Sequence, residues 1–178
     1  MPLLKNGAVV EDCWRRIADD EPLPGAGPII ITLARWQADR ALSGRRGPLG
    51  LALKNNEAVA PLANDVGHFE LIALEFPKFT DGRAYSQARI LREQYGFAGE
   101  LRATGQVLRD QFVFMLRAGF DTFEVTKQAD AEAFLETVRR YSVFYQPTGD
   151  GRGTALNARR QRGAIVAGPA REGILQDS

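Results

Sequence analysis

Three charged residues stand inside otherwise apolar runs of this chain: Glu75 in ALEF, Arg102 in ELRAT and Glu124 in TFEV. A charge in such a run is unfavourable to bury unless it is paired. On neighbouring strands the three would form a Glu–Arg–Glu row near the strand ends, with the guanidinium held between two carboxylates. That row reads as the polar floor of a site, or as an ion-pair network that satisfies a partly buried arginine.

A second group lies in the loop Pro77, Lys78, Phe79, Thr80, Asp81, Gly82, Arg83, the densest polar segment of the chain. Lys78 and Arg83 add positive charge where a following helix would turn its free N–H groups outward, and Gly82 lets backbone approach a ligand closely. This is chemistry for a small oxyanion such as sulfite, sulfate or phosphate. Thr80 and Asp81 would line that site or simply cap the helix. Arg109, after the next strand, falls on the same expected edge and could converge with Lys78 and Arg83.

Other chemistries are poorly supplied. Cys13 is the only cysteine and His68 the only histidine, which excludes an intrachain disulfide, a Cys-x-x-Cys redox pair and a zinc site built from several such ligands. An iron–sulfur cluster held by this chain alone is excluded on the same count. The Gly-x-Gly-x-x-Gly, Walker and Gly-x-Ser-x-Gly motifs are missing, and Gly25-Ala26-Gly27 precedes a strand rather than following one. No metal and no cofactor is expected, and no catalytic residue is assigned.

The elements that must position these residues are legible as alternating runs. Apolar, β-branched-rich stretches at 29–33, 49–53, 70–76, 100–104 and 121–125 read as strands. The run at 70–76 is apolar on both faces, as in a parallel strand covered on both sides. Helical spacing predicts helices over 34–42, 83–95, 106–118 and 131–141, with a short helix or turn over 57–63. In 106–118 the apolar stripe is Leu108, Phe112, Met115 and Leu116, and Gly119 sits at the C-cap. Phe112, Leu116, Leu135 and Val138 are expected to be buried.

The strand starts are 20 to 30 residues apart, room for one crossover each. The expected fold is therefore α/β, with alternating βα units and a mostly parallel sheet of about five strands, either open and doubly wound or curled into a partial barrel. In both forms ligands bind beyond the carboxyl ends of the strands. One domain is expected over 1–146. Residues 147–178, with five Arg against three acids and little periodicity, read as a flexible tail.

Composition agrees with an ordinary globular chain: 178 residues, 44% apolar, 25% charged, net charge +1. Near-neutrality gives no global field toward nucleic acid or anionic lipid, and nucleic acid is the least favoured partner. The start of the chain lacks a signal-peptide pattern, and no apolar run has the length of a membrane span. Those readings lead to a cytoplasmic protein without membrane contact; the oligomeric state stays open.

The stretches EFPKFTDGRAYSQARILREQYGF (75–97), GELRATGQVLRDQ (99–111) and AGFDTFEV (118–125) resemble a bacterial family of unknown function. Its genes commonly accompany those of assimilatory sulfite reductase, and it is often labelled a probable oxidoreductase involved in sulfite reduction. The resemblance is specific over about 70–146 and looser over 14–53. Ala84 stands where the pattern has glycine, and Gln106 where it has aspartate. What the resemblance implies is a place in sulfur assimilation. The single cysteine excludes this chain from being the catalytic hemoprotein by itself. Two function classes remain: an accessory or assembly protein that docks on a sulfite reductase component, and an oxyanion-binding protein or enzyme with its site at the carboxyl edge of the sheet. The first is preferred, because no cofactor motif or nucleophile–base pair is found.

Overall fold

A computed structural model describes residues 2–5, 8–125, 132, 134 and 136. Its centre is one sheet of eight strands: β1 (Leu3–Lys5), β2 (Ala8–Val10), β3 (Arg15–Arg16), β4 (Ile29–Thr32), β5 (Leu49–Leu53), β6 (Leu71–Phe76), β7 (Glu100–Gly105) and β8 (Thr122–Glu124). The order is β2-β1-β8-β7-β6-β5-β4-β3. Strands β3 to β8 are parallel and follow sequence order, while β1 and β2 add antiparallel pairs at the β8 edge. The five expected strands are present. The expectation of about five strands in all was too low, because three short N-terminal strands extend both edges and make the sheet mixed.

The sheet is a half-barrel rather than an open doubly wound layer. Arg16 on β3 and Glu124 on β8 are five strand spacings apart in the sheet order, about 24 Å across a flat sheet. Their side chains nevertheless meet at 2.7 Å. Only a strongly curled sheet brings them together.

Helices cover the outer face. Thr32 caps α1 (Leu33–Ala38) by accepting from the Arg35 backbone N–H. Asp39 then interrupts the predicted 34–42 helix and caps a 3₁₀ turn, Arg40–Gly44, by accepting from the Ala41 N–H. Helix α2 (Arg83–Arg89) continues as a π turn, Ile90–Gln94, so most of the predicted 83–95 segment is helical. Helix α3 (Phe112–Arg117) starts six residues later than the predicted 106–118 helix. Strand β7 runs on to Gly105, where φ is +85° and the space a Cβ would need lies 2.5 Å from the Phe76 carbonyl oxygen; only glycine suits that turn. A 3₁₀ turn, Arg109–Gln111, precedes α3, which leaves Leu108 outside the helix and 39% exposed. Gly119 does end α3, with φ +99° and its N–H bonded to the Leu116 carbonyl.

Period-2 alternation sends Leu51, Leu53, Ile72, Leu74, Phe76, Leu101, Ala103 and Phe123 outward into one core with the helices. Phe112 sits edge-on to Phe123 and Phe134, with ring centroids 5.4 Å and 4.7 Å away. Phe112 is fully buried as expected, but Leu116 is only partly buried because α3 turns Phe112 and Met115 to the core and leaves Leu116 at its edge. Leu135, Val138, most of the predicted 131–141 helix and the predicted 147–178 tail lie outside the described residues; Glu132, Phe134 and Glu136 are helical. On the inner face Ile30, Leu71 and Ala73 form a small apolar floor against Trp14 and Ala52. The second cover of the 70–76 run is therefore Trp14 and the sheet's own curl. No helix among the described residues is long and apolar enough to cross a membrane.

Candidate functional site

The inner face is built in two layers fixed by strand register. In the lower layer Ala73, Arg102 and Thr122 stand side by side. The Arg102 side chain is 1% exposed and is surrounded by carboxylates: Asp12 at 2.7 Å, Glu100 at 2.9 Å and Glu124 at 3.5 Å. Glu100 also accepts from Lys5 Nζ at 2.8 Å and Thr122 Oγ1 at 2.9 Å. Burial alone would lower the Arg102 pKa, but its hydrogen bond to Asp12 and the charge of Glu100 raise it above the ordinary arginine value. For Glu100 the upward push of burial is outweighed by Lys5, Arg102 and Thr122, so its carboxyl lies below the usual range. Every charge in this layer is engaged, and the layer closes the bottom of the half-barrel.

Above it the register pairs Glu75 with Thr104 and, one residue past the Ala103–Phe123 pair, brings Thr104 beside Glu124. Here the curled sheet encloses a cavity of about 420 Å³, lined at its rim by Arg16, Asp19, Lys54, Glu57, Glu75 and Glu124, with Thr32, Ala52, Ala73 and Thr104 inside. Apart from Ala73, which forms the floor, these residues lie toward the carboxyl ends of parallel strands or just beyond them, where α/β sheets bind ligands. Its volume is in the range of small-molecule sites.

Several rim groups hold one another. Thr32 Oγ1 donates to Asp19, Arg16 pairs with Glu124 at 2.7 Å, and Glu57 Oε2 accepts from the Lys54 backbone N–H at 2.7 Å. Buried Gln87 on α2 donates from Nε2 to the Lys54 and Glu57 carbonyls at 2.9 Å and 2.8 Å, which fixes the turn that presents both side chains. The Glu75 carboxylate and the Lys54 ammonium have no hydrogen bond or ion pair among the described residues.

The residues expected to bind a ligand fall in three places. Glu75 and Glu124 line the cavity. Arg102 lies one layer below: it bonds Glu124, while Thr104 takes the position opposite Glu75. Lys78, Thr80, Asp81, Arg83 and Arg109 lie outside the cavity lining, in the loop before α2, at its first residue and in the 3₁₀ turn before α3. There Arg83 grips Asp81 in a fork, Nε to Oδ1 at 3.0 Å and Nη2 to Oδ2 at 2.7 Å, and Asn55 donates to Asp81 at 2.6 Å. The Arg83 side-chain and backbone bonds draw the Asp81 carboxyl down to about 2. Asp81 thus answers the Arg83 charge within the loop. Lys78, Thr80 and Arg109 are exposed. The two loops are themselves joined, with the Phe79 N–H donating to Gln106 Oε1 and Gln111 Nε2 donating to the Phe79 carbonyl.

Sequence reasoning passed over Arg16, Asp19, Thr32, Lys54, Glu57 and Thr104. The available signal was the polar residue at the end of each apolar run, Thr32 after III and Lys54 after LGLAL. Among the described residues no group of three or more His, Cys, Asp or Glu side chains is arranged to hold a metal ion.

No curated protein matches the chain. A family model described as a bacterial protein of unknown function, DUF934, matches residues 50–156, a span that includes Lys54, Glu57, Glu75, Thr104 and Glu124 and leaves Arg16, Asp19 and Thr32 outside. That match covers more than half of the sequence, and the chain therefore belongs to the DUF934 family of bacterial proteins.

Proposed function

We propose that this protein binds a small polar molecule in the inner cavity, at the carboxyl edge of its half-barrel. One observation carries the reading: the upper layer offers two charged side chains, Glu75 and Lys54, without partners among the described residues around a cavity of about 420 Å³, whereas the layer beneath is a closed ion network. Unengaged charge in a concave site is binding capacity. Glu75 is the group that would exchange a proton with a bound ligand, so an enzymatic role rests on it. Mass spectrometry of small molecules released from the purified protein, repeated on Ala52→Leu, tests the proposal. Ala52→Leu narrows the cavity, and the released molecule should disappear with it. Equal recovery from both proteins would contradict the reading.

A second reading is docking as an accessory protein on a sulfite reductase component. It rests on the sequence resemblance and is favoured by three exposed apolar side chains on the joined loops and the neighbouring helix: Phe79 at 52%, Leu108 at 39% and Phe114 at 65% exposure. Capture of reductase subunits by the wild-type protein, lost with Phe79→Ser and Phe114→Ser together, is its expected outcome. Loss of capture in Ala52→Leu alone would point back to the cavity. The oxyanion version of ligand binding assigns sulfite, sulfate or phosphate to Lys78, Arg83 and Arg109. Calorimetry at low salt on Arg83→Ala and Arg109→Ala checks it, with weakened binding expected in both.

A further inference from the structure

We infer that the ligand of the inner cavity is a small zwitterion, an amino carboxylate whose ammonium group meets Glu75 and whose acid group meets Lys54. This deepens the cavity-binding proposal and rests on it.

The charges of the lining decide the class. Among the described residues of the lining, four carboxylates, Asp19, Glu57, Glu75 and Glu124, face two cations, Arg16 and Lys54, a balance that favours a ligand bringing positive charge. Arg16 is already taken by Glu124 at 2.7 Å. Among the described residues of the lining, Lys54 is then the one cation free to receive an acid group, and Glu75 is the carboxylate free of any hydrogen bond or ion pair. The free pair is one of each sign.

Their spacing suits a short zwitterion. Leu53 and Leu74 are partners in register, and Lys54 and Glu75 are the next residues on the two chains. The two backbones are thus about 4.8 Å apart, with both side chains on the cavity side. An amino carboxylate carries its opposite charges across one or two carbons, so its ends can engage two neighbouring strands at once. Lys54 and Glu75 have no ion pair with each other in this arrangement. The Lys54 backbone is pinned on both sides, its N–H by Glu57 and its carbonyl by Gln87, so the side chain springs from a fixed root beside Glu75. Preorganisation of that kind lowers the ordering cost of binding.

The test uses the purified full chain and the twenty L-amino acids with β-alanine as probes, screened by thermal shift and quantified by calorimetry. At least one should bind. Its methyl ester, which lacks the acid charge, and its N-acetyl form, which lacks the ammonium, should each bind at least about tenfold more weakly, the loss expected for one charge-assisted hydrogen bond. Lys54→Met should weaken the parent and the N-acetyl form but leave the ester unchanged. Glu75→Gln should weaken the parent and the ester but leave the N-acetyl form unchanged. Neither side chain is part of the core, and cooperative unfolding of each variant verifies the fold.

Equal binding of parent and derivatives would overturn the inference, as would failure of every zwitterion to bind. A parallel screen with neutral and singly charged fragments separates the two levels of the account. Fragments that bind wild type but not Ala52→Leu, without any amino acid doing so, would leave the cavity proposal standing and remove the zwitterion. No binding of any probe would remove both.

Discussion

The two faces of one sheet divide the work of this molecule. Along β6 the residues alternate: Ile72, Leu74 and Phe76 go outward into the helix-covered core, and Leu71, Ala73 and Glu75 go inward. Strand β7 does the same with Leu101 and Ala103 against Arg102 and Thr104. The outer face excludes water and supplies burial; the inner face holds charge and encloses space. Period-2 geometry therefore lets one short strand carry stability and chemistry on separate residues. Changes on one face should leave the other largely intact.

The sharpest challenge to that division is on the outer face. Phe112→Ala removes a fully buried ring packed against Phe123 and Phe134, and should cost about 3–5 kcal/mol in a denaturant titration. Ligand binding by whatever remains folded should not change. Next comes Arg102→Met in the lower inner layer, which strands Glu100, Asp12 and Glu124 without their shared cation. Because Asp12 remains 33% exposed, water relieves part of the penalty, and about 3 kcal/mol is expected. A negligible change would show that the network is a surface feature and the two-layer description wrong.

One layer higher, Glu75→Gln should alter stability by no more than about 0.5 kcal/mol while altering ligand binding. Stability and binding thereby come apart on a single strand. The smallest effect is at the loop outside the cavity. Asp81 has its pKa drawn down from 3.8 to about 2, so its contribution is complete above about pH 4 and fades as pH falls toward 2. Asp81→Asn should lower the neutral-pH thermal midpoint slightly and converge with wild type toward pH 2, which flattens the acid limb in a pH series.

Much of this division was legible in the sequence, for physical reasons that also mark where legibility ends. The five apolar runs were visible because burial on the outer face demands Leu, Ile and Phe at alternate positions. Glu75 and Glu124 stood out because charge interrupts those runs. Strands β1 to β3 did not stand out, being two or three residues long. Leu3-Leu4 and Val9-Val10 do flank Asn6-Gly7, a pair typical of two-residue hairpins. The curl shows in the meeting of Arg16 with Glu124, 108 positions apart, and no local pattern encodes such a contact. Lys54 and Asp19 were hidden for a related reason: a charge just beyond a strand looks solvated until the sheet folds around it. The late start of α3 followed from Gly105, whose left-handed turn extends β7 at the helix's expense.

The most direct test of the central claim is a titration of isotope-labelled protein with the best-binding amino acid, followed residue by residue through backbone amide shifts. The account predicts that the largest shifts fall on Ala52, Lys54, Ala73, Glu75, Thr104 and Gly105, around the cavity, with residues 78–83 and Arg109 nearly still. Largest shifts on those loop residues, with the cavity strands unmoved, would contradict it.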